Sequence, residues 1–170
     1  WHKLYDDTYQ HLGSPLDATF NTAGWNSSYT GQPFPEAEMR EWVENATQTI
    51  LSRRPNRILE IGCGTGLLLY RLAPHCQYYC GTDFSEAVLH ILEGQMKAQD
   101  LSQVQLLHRE ANNFEGIEPG SFDCVVLNSV VQYFPQVQYL LQVLESSVSA
   151  VKPGGFVFIG DVRSLPLLEA

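Results

Sequence analysis

The sequence predicts an α/β fold with a doubly wound, mostly parallel sheet and helices on both of its faces. Short apolar runs alternate with longer segments of helical periodicity between residues 58 and 160, and repeated βα units build parallel sheets. A glycine-rich turn, residues 62–66, follows the first apolar run, and Asp83 follows the second. Because such sheets bind ligands at the carboxyl ends of their strands, we expect a small-molecule site there.

The N-terminal part, residues 1–34, is expected to hold a short helix near Trp1 to Leu12 and then irregular chain, because it has little periodicity. The core, residues 35–170, begins with a helix that Pro35 opens. Its acidic residues come early and Arg53-Arg54 come late, as the helix dipole favours. An apolar stripe predicts the buried face of this helix: Met39, Trp42, Val43, Ala46 and Ile50.

The remaining elements follow from the alternation of apolar periods. We expect strands at residues 58–61, 78–82, 104–108, 123–128 and 156–160, and helices at 66–73, 85–98 and 136–151. Ser85 is a suitable cap for the second of these helices. Lys152-Pro153-Gly154-Gly155 predicts a helix stop and a turn before the fifth strand.

Composition disfavours several other classes of protein. A net charge of -9 argues against a nucleic-acid surface, and no apolar run approaches the roughly 20 residues of a membrane span. No charged and apolar leader opens the chain, so we expect a soluble, cytoplasmic protein without membrane contact. The four cysteines lack C-x-x-C spacing and the five histidines are scattered, which predicts reduced thiols and no metal site.

The spacing of the glycines decides which nucleoside the turn suits. A dinucleotide fingerprint needs a third glycine where Leu67 stands, and no Lys-Ser/Thr pair of a phosphate-binding loop follows. An oxidoreductase on the same sheet is therefore disfavoured. The remaining pattern is E-x-G-x-G-x-G, starting at Glu60, with Asp83 placed 21 residues after Gly62 to hold a ribose diol.

This pattern resembles the first motif of class I methyltransferases that use S-adenosylmethionine. The resemblance implies a Rossmann-like sheet of that type, with about five of the usual seven strands present in this sequence. It also implies that Glu60 orients the methionine amino group and that Asp83 holds the ribose hydroxyls. Further cofactor contacts are implied at Gly62, Cys63, Gly64, Phe84, Glu110, Ala111, Asn112, Asn128 and Ser129.

The acceptor side is implied at the ends of the fourth and fifth strands. Backbone carbonyls of Asn128-Ser129-Val130 would face the reactive methyl group. Tyr133 would shape the methyl pocket or bond the acceptor, and Asp161 would contact the acceptor. Asn128, Tyr133 and Asp161 are the catalytic candidates. Tyr133 also suits a core aromatic, and Asp161 also suits a surface ion pair with Arg163.

Longer strings resemble the methyltransferase domains embedded in nonribosomal peptide synthetases: residues 20–33, 38–43, 126–135 and 160–168. The resemblance implies methylation of the amine of an aminoacyl thioester on the phosphopantetheine arm of a carrier domain, beside an adenylation domain. S-adenosylhomocysteine would be the second product. Trp25, Tyr29 and Thr30 would belong to a lid, with Tyr29 contacting the cofactor.

Two alternatives stay open in the sequence. One is an O- or C-methyltransferase of the same assembly-line type, and the other is a cofactor-binding structural module without activity of its own. The sequence also leaves open the amino acid substrate, the oligomeric state, and whether acceptor-binding residues lie in sequence downstream of this chain.

Overall fold

The computed structural model describes residues 17–27 and 30–162. Within them, four α-helices and five strands alternate. The helices are α1 (Glu36–Leu51), α2 (Leu69–Leu72), α3 (Glu86–Ala98) and α4 (Val137–Ala150). The strands are β1 (Arg57–Ile61), β2 (Tyr78–Asp83), β3 (Val104–His108), β4 (Phe122–Asn128) and β5 (Val151–Gly160). Short 3-10 helices follow α2 and β4, at Ala73–His75 and Val131–Tyr133. The predicted helix at residues 1–12 lies outside the described residues.

The five strands form one sheet in the order β3-β2-β1-β4-β5, and every neighbouring pair is parallel. The chain moves outward from β1 to β3 on one side and then returns to β4 on the other side of β1. This reversal creates a crevice between the carboxyl ends of β1 and β4, where doubly wound sheets bind their ligands. The predicted α/β class and the parallel sheet are confirmed.

Side chains of the central strands alternate between two apolar layers, as buried parallel strands do. Ile58, Tyr79 and Val126 face the layer that also contains residues of α1, α2 and α3. Leu59 and Val125 face the other layer, which α4 and the segment between β3 and β4 cover. Of the predicted stripe on α1, four residues are buried and Trp42 is half-buried.

The region of α1 and α2 shows where the predicted helix bounds meet the backbone of the structure. The helix expected at 66–73 is α-helical only over Leu69–Leu72, because Gly66 has a φ of 82° and closes the preceding turn through its amide. Arg53 and Arg54 lie after the end of α1, and Arg54 adopts a φ of 50°.

The predicted turn before the fifth strand lies inside β5 as an irregularity. Phe122 pairs with Val151 and Cys124 pairs with Phe156, so two steps along β4 correspond to five along β5. The three extra residues bulge out of the ladder. None of the helices in the two described ranges is long and apolar enough to cross a membrane.

Candidate functional site

The glycine turn leaves the end of β1 with its glycines in the left-handed region. The φ angles are 75° at Gly62, 50° at Gly64 and 82° at Gly66, a conformation that glycine adopts without steric cost. A Cβ atom on Gly62 would lie 2.6 Å from Cγ2 of Val130, which follows β4. The turn therefore packs directly against the end of β4 and forms one wall of the crevice.

The backbone amides of this turn are hydrogen-bonded within the protein. The N–H groups of Gly62 and Cys63 both donate to the carbonyl of Thr82, at 2.8 and 2.9 Å. The N–H of Gly64 donates to Asp83 Oδ2 at 2.9 Å. A phosphate-binding loop presents free amides to its ligand, so this turn suits a nucleoside cofactor that carries no phosphate.

Asp83 connects the turn to the end of β2. Its Oδ2 accepts from Gly64, and its Oδ1 accepts from the N–H of Ser85 at 2.9 Å. The side chain is buried. Burial raises the pKa of Asp83, while the amides of Ser85 and Gly64 oppose that rise. Each carboxylate oxygen keeps a further lone pair, so the group retains acceptor capacity for a ligand hydroxyl.

Glu60 is buried beside the turn and bonded to a tyrosine of the neighbouring strand. The hydroxyl of Tyr79 donates to Glu60 Oε2 at 2.5 Å. Burial raises the pKa of Glu60 to about 8, the Tyr79 hydrogen bond lowers it, and the nearby charge of Asp83 raises it. The second oxygen, Oε1, accepts no hydrogen bond from the described part of the chain. A cationic ligand group would favour the ionised carboxylate.

The segment after β3 contains the residues expected against an adenine ring. Ala111 packs on the layer beneath α4, and the N–H of Asn112 donates to the hydroxyl of Tyr139 at 3.3 Å. Glu110 is exposed. Phe84 is half-buried at the end of β2, and its carbonyl lies 2.8 Å from His108 Nε2.

The acceptor-side candidates lie at or directly after the ends of β4 and β5. Asn128 is only 8% exposed, and its side-chain amide forms no hydrogen bond with the residues that the structure describes. Ser129 Oγ donates to Asp161 Oδ2 at 2.5 Å. Asp161 is exposed, whereas Tyr133 is half-buried in the 3-10 helix that follows β4.

The N-terminal segment reaches the glycine turn through a contact that the sequence did not reveal. The buried hydroxyl of Thr65 donates to the carbonyl of Asn21 at 2.7 Å. Both residues are less than 9% exposed. Nothing in their types distinguishes them from other turn residues, so only the folded chain shows their pairing.

The segment expected to form a lid packs against α1 through Trp25. The rings of Trp25 and Trp42 have centroids 4.6 Å apart. Trp25 accepts at its carbonyl from the N–H of Phe34, and Ser27 donates to Gln32, so the two sides of this segment run beside each other. Thr30 lies at its turn. Tyr29 lies outside the described residues.

Comparison with known proteins identifies the family. The family described as "Methyltransferase domain" matches residues 59–157, a range that includes the glycine turn, Asp83 and Asn128. This range is more than half of the chain. The chain belongs to the methyltransferase domain family. The parallel sheet and the crevice at the ends of β1 and β4 agree with the class I fold of methyltransferases.

Curated relatives of this methyltransferase domain are large synthetases. The chain is 48% identical over 171 residues to the chondramide synthase cmdD of Chondromyces crocatus, covering 100% of this chain and 4% of the synthase. It is 39% identical over 170 residues to a probable non-canonical nonribosomal peptide synthetase, CymA, of Salinispora arenicola, covering 100% of this chain and 2% of that protein. The methyltransferase domain thus spans a few per cent of these two relatives.

A solved structure supports the fold independently. The N-methyltransferase NodS of Bradyrhizobium japonicum, in complex with S-adenosyl-l-homocysteine, matches with a TM-score of 0.72 and 19% identity. The match covers 93% of this chain and 71% of the NodS chain. At this identity the likeness concerns the fold, and it agrees with the Rossmann-like class I sheet that the sequence predicts.

Proposed function

We propose that this methyltransferase domain transfers a methyl group from S-adenosylmethionine to the amine of an aminoacyl thioester on the phosphopantetheine arm of a carrier domain. The observation that carries the proposal is the buried amide of Asn128, which has no hydrogen-bond partner among the described residues, together with the exposed carboxylate of Asp161. Asn128 ends β4, the neighbour of β1, and Asp161 follows β5. Synthetase relatives that match the whole chain support the carrier-bound substrate and a neighbouring adenylation domain.

The residues of the crevice suit the cofactor chemically. Asp83 would accept the ribose hydroxyls on lone pairs that the amides of Gly64 and Ser85 leave available. Glu60 would accept the methionine ammonium on Oε1, because the Tyr79 hydroxyl occupies Oε2. Further proposed contacts come from the backbone of Gly62, Cys63, Gly64 and Ser129, and, around the adenine and in the lid, from Phe84, Glu110, Ala111, Asn112 and Tyr29.

Burial decides what Cys63 contributes to this cofactor site. Its side chain is 5% exposed, and burial raises the pKa of its thiol well above the usual range. The thiol is therefore neutral and shielded. The proposed contact of this residue is made by its backbone, in agreement with the close approach that the neighbouring glycines allow.

When bound, S-adenosylmethionine supplies a methyl group on a positively charged sulfur, which leaves as the neutral thioether of S-adenosylhomocysteine. The protein must align the acceptor nitrogen with that methyl group and keep water out. Alignment of reacting groups can supply about 7–11 kcal/mol of rate enhancement. Asn128 and Tyr133 would orient the acceptor, and neither needs to form a covalent bond to it.

Asp161 is the proposed proton acceptor for the amine. A protonated amine has no lone pair with which to attack the methyl group, so a nearby base favours the reactive form. The hydroxyl of Ser129 occupies Oδ2 of Asp161, which leaves Oδ1 for the substrate. The carboxylate is exposed at the crevice and can therefore pass the proton on to solvent.

Methyl transfer to a defined acceptor tests this proposal. The chain is incubated with S-adenosylmethionine and an aminoacyl thioester on a carrier domain, and tandem mass spectrometry locates the added methyl group. The proposal expects it on the amine. A methyl group on oxygen or carbon would instead support the assembly-line alternatives, and cofactor binding without any transfer would support a structural module.

A further inference from the structure

Gly160 lies opposite Asn128 in the parallel pair of β4 and β5, and the side chain of Asn128 occupies the space where a Cβ would be. A Cβ on Gly160 would lie 2.0 Å from Asn128 Oδ1 and 2.8 Å from Cε1 of Phe158. Both distances are far below a normal contact. The φ of Gly160 is outside the left-handed region, so the need for glycine arises from the Asn128 amide and the Phe158 ring rather than from backbone strain.

The backbone around Gly160 is held on both sides and cannot easily withdraw from this contact. The N–H of Ser129 donates to the carbonyl of Gly160 at 3.1 Å, and Ser129 Oγ donates to Asp161 Oδ2. Ser129 and Asp161 have φ angles of 57° and 55°, a conformation that is uncommon outside glycine and clusters at functional sites. These two hydrogen bonds join the ends of β4 and β5.

The amide that lies over Gly160 has unused hydrogen-bonding capacity. Asn128 is more than nine-tenths buried, and no residue in the described ranges bonds its side chain. The amide atoms of Asn128 are not among the fully enclosed, unpaired polar atoms of the described residues, so they are accessible to a hydrogen-bonding partner that enters the crevice. The amine of the acceptor is the group that reaches this position in the proposed reaction.

We infer that Gly160 is a positioning residue, which keeps the Asn128 amide where its oxygen accepts an N–H of the acceptor amine. This inference rests on the proposed function. As the nitrogen–methyl bond forms and the methyl–sulfur bond breaks, positive charge develops on the nitrogen, and its N–H becomes a stronger donor. The hydrogen bond therefore strengthens toward the transition state, which raises the rate of transfer more than the affinity for the acceptor.

The same hydrogen bond favours an acceptor atom that still carries a hydrogen while it attacks, as the nitrogen of a primary amine does. A primary amine that attacks through its lone pair still presents an N–H to Asn128, and Asp161 remains available for the proton that leaves afterwards. An acceptor without a remaining hydrogen on the attacking atom leaves the buried amide unpaired. Leaving a buried polar group unpaired disfavours the wrong ligand strongly.

A double-mutant cycle with Gly160→Ala and Asn128→Ala tests the inference. We measure kcat and KM with an aminoacyl pantetheine thioester, cofactor affinity by calorimetry, thermal unfolding, and the NMR signals of the Asn128 side-chain amide. Gly160→Ala is expected to shift those signals and to lower kcat about ten- to a hundredfold, the loss of one charge-assisted hydrogen bond. Cofactor affinity should change less than about twofold, because the contact lies on the acceptor side.

The double variant separates the inference from a general packing defect. If Gly160→Ala acts through Asn128, the double variant has the kcat of Asn128→Ala alone and recovers part of the thermal stability that Gly160→Ala loses. Losses of kcat that multiply in the double variant would assign the effect to Phe158 instead and would overturn the inference. Unshifted Asn128 signals in Gly160→Ala would also overturn it.

A matched control and a separate readout keep the two proposals distinguishable. Gly94→Ala adds the same methyl group on α3, where no atom of the described residues lies within 4 Å. It should leave the kinetics, the cofactor affinity and the NMR signals unchanged and should not lower the stability. Absence of methyl transfer by the wild-type chain would overturn the proposed function together with the amine-binding role of Asn128. The NMR shift and the stability rescue would still decide whether Gly160 positions the Asn128 amide.

Discussion

The hydroxyl of Tyr79 on β2 donates a 2.5 Å hydrogen bond to Glu60 on β1, inside the apolar layer covered by α1, α2 and α3. Parallel pairing places Ile58 beside Tyr79 and Glu60 beside Gly81, so the tyrosine reaches diagonally across a position without a side chain. Glu60 thus lies just before the glycine turn, and its Oε2 accepts the hydrogen bond of the Tyr79 hydroxyl. Its ionisation is sensitive both to pH and to a cationic ligand.

Replacing Glu60 with glutamine should remove a pH dependence of stability. Burial raises the pKa of Glu60 from its ordinary value of 4.5 to about 8 in the folded chain. Between pH 4.5 and pH 8 the folded chain keeps a proton on Glu60 that the unfolded chain has released. The contribution of Glu60 to the free energy of unfolding is therefore complete below pH 4.5 and is lost as the pH rises to about 8. Urea unfolding across this range should show Glu60→Gln gaining stability relative to wild type as pH rises. Glu38→Gln, on the exposed face of α1, is the control. If the stabilities of Glu60→Gln and wild type changed equally with pH, the prediction would be contradicted.

Cofactor binding near neutral pH should release a proton from Glu60. Because burial keeps this carboxyl largely protonated at pH 7, an incoming ammonium group that prefers the carboxylate displaces the proton. Calorimetry in two buffers of different ionisation enthalpy measures that release. We expect up to one proton near pH 7 and close to none well above pH 8, and we expect Glu60→Gln to abolish the difference. Equal release by the variant would assign the proton to another group.

Gly62 should tolerate alanine less well than another glycine with the same backbone conformation. Gly116 shares its φ of 75°, but no atom in the described part of the chain lies within 4 Å of a Cβ there, whereas Val130 crowds Gly62. Gly116→Ala should cost about 1–2 kcal/mol of unfolding free energy from the left-handed conformation alone. Gly62→Ala should cost about 1–3 kcal/mol more, because valine is stiff and cannot move aside. Urea unfolding compares the two, and equal losses would show that Val130 is not a constraint.

Removing the hydroxyl of Thr65 should loosen the N-terminal segment from the glycine turn. Thr65→Val leaves the carbonyl of Asn21 without its donor in a buried place, which costs about 1–3 kcal/mol. Amide hydrogen exchange of residues 20–25 should accelerate. Thr49→Val breaks a similar bond on the exposed face of α1 and should leave those amides unaffected. Unchanged exchange in Thr65→Val would mean that Phe20 and Trp25 hold the segment by packing alone.

The parts of the fold that rest on local patterns were predictable. The apolar runs at 58–61, 78–82 and 104–108 became strands with nearly the expected bounds, and the alternation with helices gave the parallel sheet. The helix at 66–73 failed because the left-handed Gly66 and the nearby Pro74 oppose a regular helix there. The apolar periodicity of a segment contains no information about such backbone constraints.

The candidate site residues also divide into those that local patterns predict and those that only the folded chain reveals. Asp83 and the glycines were predicted as cofactor contacts from their spacing at two strand ends, whereas Glu60 was predicted from the resemblance to the first methyltransferase motif. The contacts of Tyr79 with Glu60, Thr65 with Asn21, and Gly160 with Asn128 join residues 19 to 44 positions apart. Such pairings depend on strand register and on the path of the N-terminal segment, neither of which a single sequence specifies.

The central claim, a S-adenosylmethionine site between the glycine turn and Asp83, is tested most directly by titrating the chain with S-adenosylhomocysteine in a calorimeter. The wild-type chain should bind with one-to-one stoichiometry, and Asp83→Ala should bind at least about a hundredfold more weakly, because it loses both the ribose acceptor and the anchor of Gly64. Circular dichroism confirms that the variant is folded. No binding by the folded wild-type chain, or equal binding by folded Asp83→Ala, would contradict the claim.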